Sequence, residues 1–183
     1  MSVLLTASLS AALPLSAASH VDVVKMRTEN RVNPLGIGTS TPRFSWQITS
    51  DRKGVVQTSY QILVASSREK LDRNEADLWD SGERNSDEQL WIPYQGKALL
   101  SGAQAYWKVR ITTNKGKSEW TEPQLFTIGL LGETKWSGTW IGLEDLQPGE
   151  QKGMHTRLAA RYIRKDFAAK GKVKRALAYV AGL

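Results

Sequence analysis

A chain of 183 residues has room for one full domain and part of a second, and its 40% hydrophobic and 23% charged residues, with seven Trp among them, exclude an intrinsically disordered protein. The formal charge of +7 does not make a nucleic-acid binder: Gln151 to Leu183 carries nine Lys or Arg against the single acid Asp166, +8 in all, which leaves the other 150 residues at −1, and no aromatic stacking platform or Arg and Gly repeat accompanies the basic run. The absence of Cys excludes disulfides and thiolate zinc sites together, and no cofactor is implied.

Residues 1–19, MSVLLTASLSAALPLSAAS, hold no charge and are built mainly of Leu, Ala and Ser. They read as a signal-peptide-like leader with Ser16 and Ala18 at the minus-three and minus-one positions of a cleavage site, which points to a periplasmic or secreted protein. Ser, Thr and Pro14 interrupt the run too often for a membrane span, so none is expected after the leader is removed.

From Val21 onward the apolar period is two. RFSWQIT sets Phe44, Trp46 and Ile48 on one face, and QTSYQILVAS sets Tyr60, Ile62 and Val64 on one face. QAYWKVRITT sets Trp107, Val109 and Ile111 inward, with Tyr106, Lys108 and Arg110 pointing the other way. A single short helix is expected within Ser66 to Leu78, with Ser66 and Glu69 spaced as a capping box. The connections NPLGIG, SDRKG, WDSGERNSDEQ, YQGK and TNKGKS are of hairpin and loop type. Short strands at this spacing predict an all-β fold, an antiparallel β-sandwich over 21–129. LLSGAQAYWKVRITTNKGKSEWTEPQLFTIG resembles the last two strands of a fibronectin type III module, except that Trp107 rather than Tyr106 is in phase with the core, which argues against a tyrosine corner.

After this domain come a linker over 130–159, with a W-x3-W-I element at Trp136, Trp140 and Ile141, and a segment over 160–183 that reads as the truncated start of a second β-sandwich. In order, RVNPLGIGTSTPRFSWQI, QTSYQILVASS, ADLWDSG, YWKVRI, the W-x3-W-I element and ARYIRKDFAAKGKVKRALAYVAGL resemble the amino-terminal region of bacterial α-L-rhamnosidases from about Val24 onward. The resemblance implies that the second sandwich continues past this chain and that a catalytic barrel of paired helices lies further downstream. Such enzymes cleave terminal α-L-rhamnose with inversion, one carboxylic acid protonating the leaving oxygen and a second carboxylate activating water. Neither acid can be assigned to a position here. The chain by itself is expected to be inactive, serving domain packing or substrate presentation, with the downstream domains of the same protein and, through the full-length enzyme, a rhamnose-containing glycan or glycoside as partners.

Some of the same residues invite local alternatives. Asp77, Asp80, Glu83, Asp87 and Glu88 are numerous enough to suggest a glycosidase or calcium site, but a loop rich in Asp, Ser, Gly and Asn is read as a solvated turn. His20 and His155 stand alone in sequence, with no nucleophile context. Trp46 and Trp107 belong to the core, while Trp79, Trp91, Trp120, Trp136 and Trp140 could stack on a sugar or pack against neighbouring structure. No substrate-binding residue is named on this basis. The alternative to an enzyme front end is a free-standing sandwich that binds glycan or protein.

Overall fold

The computed structural model of the chain describes residues 21–132, 136–139, 141, 149 and 162–180. The expected leader over 1–19, His20, His155 and Trp140 lie outside the described residues. The chain divides into two units between Leu131 and Gly132.

In the first unit the two-residue period becomes a β-sandwich. One sheet has the order β1-β2-β6, from β1 (Val21–Thr28), β2 (Arg43–Ser50) and β6 (Ile92–Pro93), all antiparallel. The other is built on β3 (Gln57–Ala65) and β7 (Gln104–Thr113), paired antiparallel from Gln57 opposite Thr113 to Ala65 opposite Tyr106. The outer lanes of this sheet are split. β4 (Trp79–Asp80) and β5 (Arg84–Asn85) both pair with β3, while β8 (Gly116–Lys117) and β9 (Gln124–Thr127) both pair with β7. Seven lanes in a three-plus-four arrangement make the antiparallel β-sandwich that the strand spacing predicts.

The inward residues meet as expected. Phe44, Trp46, Ile62, Val64, Trp107, Val109, Ile111 and Phe126 are all fully buried in one cluster. Phe44 is its centre, with ring centroids 4.4 Å from Trp107 and 5.8 Å from Phe126. The two ends of the domain are clasped by the loop before β2. Ile37 N donates to the Thr127 carbonyl at 2.8 Å, Gly129 N to the Ile37 carbonyl at 2.8 Å and Gly36 N to Thr127 Oγ1 at 2.8 Å. Gly129 packs so closely on Gly36 that a Cβ there would sit 3.0 Å from its carbonyl oxygen, which only glycine accommodates without a shift.

The outer face of the β3–β7 sheet differs from the expected polar one. Leu63 and Ala65 are buried beneath α1 (Arg68–Asp72), whose one core residue is Leu71. Lys108, expected to face water, is only 5% exposed. Its ammonium donates to the Leu71 carbonyl and, at 2.7 Å, to Asn74 Oδ1, and it lies 5.1 Å from the Trp120 ring. An alternating strand pattern cannot report what covers its polar side. The helix is also shorter than Ser66 to Leu78, and its N-cap is Ser67, which accepts from Lys70 N at 3.4 Å. Ser66 instead donates its hydroxyl and its N–H to Asp77. No tyrosine corner forms at Tyr106, whose hydroxyl accepts from Gln104 Nε2 at 2.7 Å.

In the second unit residues 162–180 form no helix or strand and are exposed throughout. The strands expected from 160 onward are not formed among the described residues. Among the described residues no helix is long and apolar enough to cross a membrane.

Candidate functional site

The acidic loop of the sequence is dispersed by the fold into separate anchoring roles. Asp77 receives Lys70 Nζ at 2.6 Å together with the Ser66 amide and hydroxyl. Burial pushes its carboxyl up, but these donors outweigh it and hold the group at about 2. Asp80 Oδ1 accepts from Gln61 Nε2 at 2.9 Å and from Gly82 N at 2.8 Å, closing the turn between β4 and β5. Glu83 accepts from Ser59 Oγ at 2.8 Å and Thr112 Oγ1 at 3.1 Å, bonds that hold its carboxyl below the ordinary range. Asp87 is exposed, and Glu88 offers its backbone carbonyl to Gln57 Nε2. Acid and base catalysis by a carboxylate pair needs one group raised and one lowered; the shifted members of this loop, Asp77 and Glu83, are both lowered. Among the described residues no group of three or more His, Cys, Asp or Glu is placed to hold a metal ion.

The residue that organises this loop is Gln57, which composition alone did not single out. It is buried at the start of β3, its Oε1 accepts from Trp46 Nε1 at 3.1 Å, and its Nε2 donates to the Ser86 and Glu88 carbonyls at 3.0 and 2.9 Å. The stretch 86–91 is thereby laid along β2, where the Gln89 carbonyl accepts from Trp46 N at 3.0 Å.

The tryptophans separate by environment. Trp46, Trp79 and Trp107 are core residues. Trp120 is half-buried, with Lys108 and Arg110 against its ring, and Trp136 is exposed in the second unit. Trp91 is the exposed indole of the sandwich, 46% accessible, and its backbone is left-handed at φ 58°. A bulky residue in that region carries a cost on the order of 1 to 3 kcal/mol and persists only where its surroundings enforce it. Here they do. Trp91 N donates to Ser45 Oγ at 3.0 Å, and Ile92 pairs with Phe44 in the ladder. The Arg43 guanidinium lies 4.3 Å from the Trp91 ring centroid while its other side is gripped by Glu29, with Nε and Nη2 donating to the two carboxylate oxygens at 3.0 and 2.7 Å. That fork holds the Glu29 carboxyl below its usual range. An open groove of about 490 Å³ is lined by Gln47, Ile48, Val55, Val56, Gln57, Asp87 and Gln89.

Residues 23–132 match the family described as Rha78A-like, N-terminal immunoglobulin domain. An α-L-rhamnosidase of Formosa agariphila is 34% identical over 180 residues, covering 90% of this chain and 19% of that protein. One of Streptomyces avermitilis is 39% identical over 124 residues, covering 67% of this chain and 12% of its own length. Among solved structures, the Streptomyces avermitilis α-L-rhamnosidase complexed with L-rhamnose superposes with a TM-score of 0.63 at 36% identity, over 67% of this chain and 12% of that one. The α-L-rhamnosidase from Dictyoglumus thermophilum gives 0.58 at 36% identity, over 61% and 12%. The chain thus spans less than a fifth of the length of these relatives. The match covers more than half of the chain, and the chain belongs to the family of Rha78A-like N-terminal immunoglobulin domains.

Proposed function

We propose that this chain is the non-catalytic amino-terminal portion of an exported α-L-rhamnosidase, an inverting glycoside hydrolase acting on terminal α-L-rhamnose. The observation that carries the reading is the family match over 23–132 together with relatives that share only 12 to 19% of their length with this chain. The sandwich over 21–129 then packs against, or presents substrate to, domains encoded further on, with 130–159 as linker and 160–183 as the opening of a second sandwich. The uncharged leader supports export to the periplasm or beyond. Both reacting carboxylates belong to the downstream barrel. This agrees with the structural duties of Asp77, Asp80 and Glu83 in the loop where a glycosidase pair was conceivable.

The test is hydrolysis of an aryl α-L-rhamnoside by the 183-residue chain and by the product of the same gene extended through its downstream open reading frame. The extended protein turns the substrate over and the short chain does not. An extended protein without α-L-rhamnosidase activity, or turnover by the short chain that an Asp77→Asn or Glu83→Gln substitution abolishes, overturns the reading. Fusion of residues 1–19 to a reporter that is active only after export tests the leader.

A further inference from the structure

We propose that the outer edge of β1 is a pairing surface for a second copy of this chain, and that the bulge at Lys25 keeps it closed. Among the described strands, β1 has eight residues and pairs with β2 alone. Backbone N–H and C=O groups along such an edge template the addition of another strand. The other outer lanes are guarded by different means. β4, β5, β6 and β8 are two residues each, and β6 ends in Pro93. The free side of β9 is occupied by the loop before β2, where Asn33 Oδ1 accepts from Leu125 N at 2.9 Å and the Pro34 carbonyl from Thr127 N at 3.0 Å. Along β1 there is instead an open groove of about 410 Å³, lined by Val23, Val24, Lys25 and Met26 together with Thr121, Glu122 and Gln124.

The ladder between β1 and β2 is interrupted at one place. Val24 lies opposite Gln47 and Arg27 opposite Ser45, so Lys25 and Met26 together oppose Trp46. Lys25 is exposed and left-handed at φ 50°, which bends the strand and is unfavourable for a lysine. The extra residue also changes the phase: Val21 and Val23 pack toward the core before it, Met26 and Thr28 after it. Taking Lys25 out straightens β1 and leaves all four on the core side. Such a strand is complementary to itself. With a two-fold axis through Val24, antiparallel pairing sets Val23 opposite Met26 of the second copy and Asp22 opposite its Arg27. Core-facing residues meet core-facing ones and the acid meets the base, which selects a second copy over an unrelated strand. The hydrogen-bond phase agrees. Thr28 turns its N–H and carbonyl away from β2, to Arg31 at 2.9 and 3.0 Å, so in a straight strand Met26 and Val23, which share its phase, present theirs outward as well.

The 183-residue chain is compared with a chain lacking Lys25, with Lys25→Asn, which suits the left-handed backbone but loses the charge, and with Lys25→Val, whose branched side chain does not tolerate that backbone. Molar mass is followed by light scattering over a wide range of concentration, and the β1 amides by hydrogen exchange. The expected result is a chain that dimerises with rising concentration when Lys25 is deleted, its Val23 and Met26 amides exchanging about tenfold more slowly than in the wild type. Wild type and Lys25→Asn keep these amides unprotected by association. Asp22→Arg in the deletion chain sets two cations opposite each other and restores the monomer. A folded deletion chain whose β1 amides do not respond to concentration overturns the proposal. So does a Lys25→Asn chain that associates as strongly, which would place the effect in the charge rather than the bulge, and so does a dimer that Asp22→Arg leaves intact. If the deletion chain does not fold, Lys25→Val decides: association with protected β1 amides supports the pairing edge, and a monomer overturns it. Activity of the extended protein on an aryl rhamnoside is independent of all these outcomes.

Discussion

The Lys108 ammonium, on the outer face of β7, closes the C-terminal end of α1 by donating to the carbonyl of Leu71. A helix end leaves carbonyls without intrahelical partners, and a cation there also meets the negative end of the helix dipole. Burial holds the Lys108 amine below its ordinary pKa, so the charge is retained at a cost that its two oxygen acceptors and the nearby Trp120 ring offset.

Lys108→Met keeps much of the apolar stem but removes the charged donor from the Leu71 carbonyl, which retains Asn74 N at 2.9 Å, and leaves Asn74 Oδ1 without its lysine partner. A loss of about 2 to 3 kcal/mol is expected in urea denaturation. Lys117→Ala, on the exposed β8, changes stability by less than about 0.5 kcal/mol. Equal effects would mean that the α1–β7 contact does not contribute.

Trp107→Ala removes the ring that lies 4.4 Å from Phe44 at the middle of the core and costs ~3 to 5 kcal/mol. Trp107→Phe, which keeps a ring at the position, costs less than half as much. Both are read from denaturation midpoints at constant m-value.

Gln57→Leu fills the same space but leaves Trp46 Nε1 without its acceptor and the Ser86 and Glu88 carbonyls without their donor. A destabilisation of about 2 to 4 kcal/mol is expected, accompanied by faster amide exchange of 86–91 than of β7, since the loop loses its anchor while the central strand does not.

Asp77 gives the acid limb of stability. Its carboxyl titrates at about 2 in the native state, against 3.8 for an unperturbed aspartate. A lowered native pKa contributes stability that is complete above about pH 5 and disappears as the pH falls through about 2. Between about pH 5 and about pH 2.5 the wild-type chain therefore loses more stability than Asp77→Asn, and the two curves converge at the acid end. Parallel curves would show that the Lys70–Asp77 pair is not coupled to folding.

The inward faces were legible in the sequence because a two-residue period is a direct image of a half-buried strand: Phe44, Trp46, Tyr60, Ile62, Val64, Trp107, Val109 and Ile111 all point as the alternation indicates. Lys108 was not legible, because its burial is imposed by α1 and Trp120, which approach from other parts of the chain, and its type is one that almost always faces water. The N-cap fell one residue late for a similar reason. Ser66 and Ser67 offer the same hydroxyl, and the choice was made by Asp77, eleven positions on from Ser66, which engages Ser66 and leaves Ser67 to the helix. Gln57 gave no local signal, being a polar residue at the head of a strand, and for Trp91 the sequence left stacking and packing both open; each acquires its environment from Trp46, Ser45 and Arg43 across the sheet.

The clasp between the loop before β2 and the end of β9 also sets an order of events during synthesis. Gly36 and Thr127, joined by a hydrogen bond, are 91 positions apart, and the central β3–β7 pairing likewise waits for residues past Gln104. Contacts of such separation form late, because the closure entropy of the intervening chain must be overcome before they stabilise anything. At ~5 to 20 residues per second, the first strands emerge several seconds before their partners exist. Until Gln89 to Pro93 appear, β1 and β2 can pair only with each other, so the nascent domain passes through an interval in which the apolar faces of Phe44, Trp46 and Ile62 are shielded by whatever binds unfolded chains rather than by the sandwich.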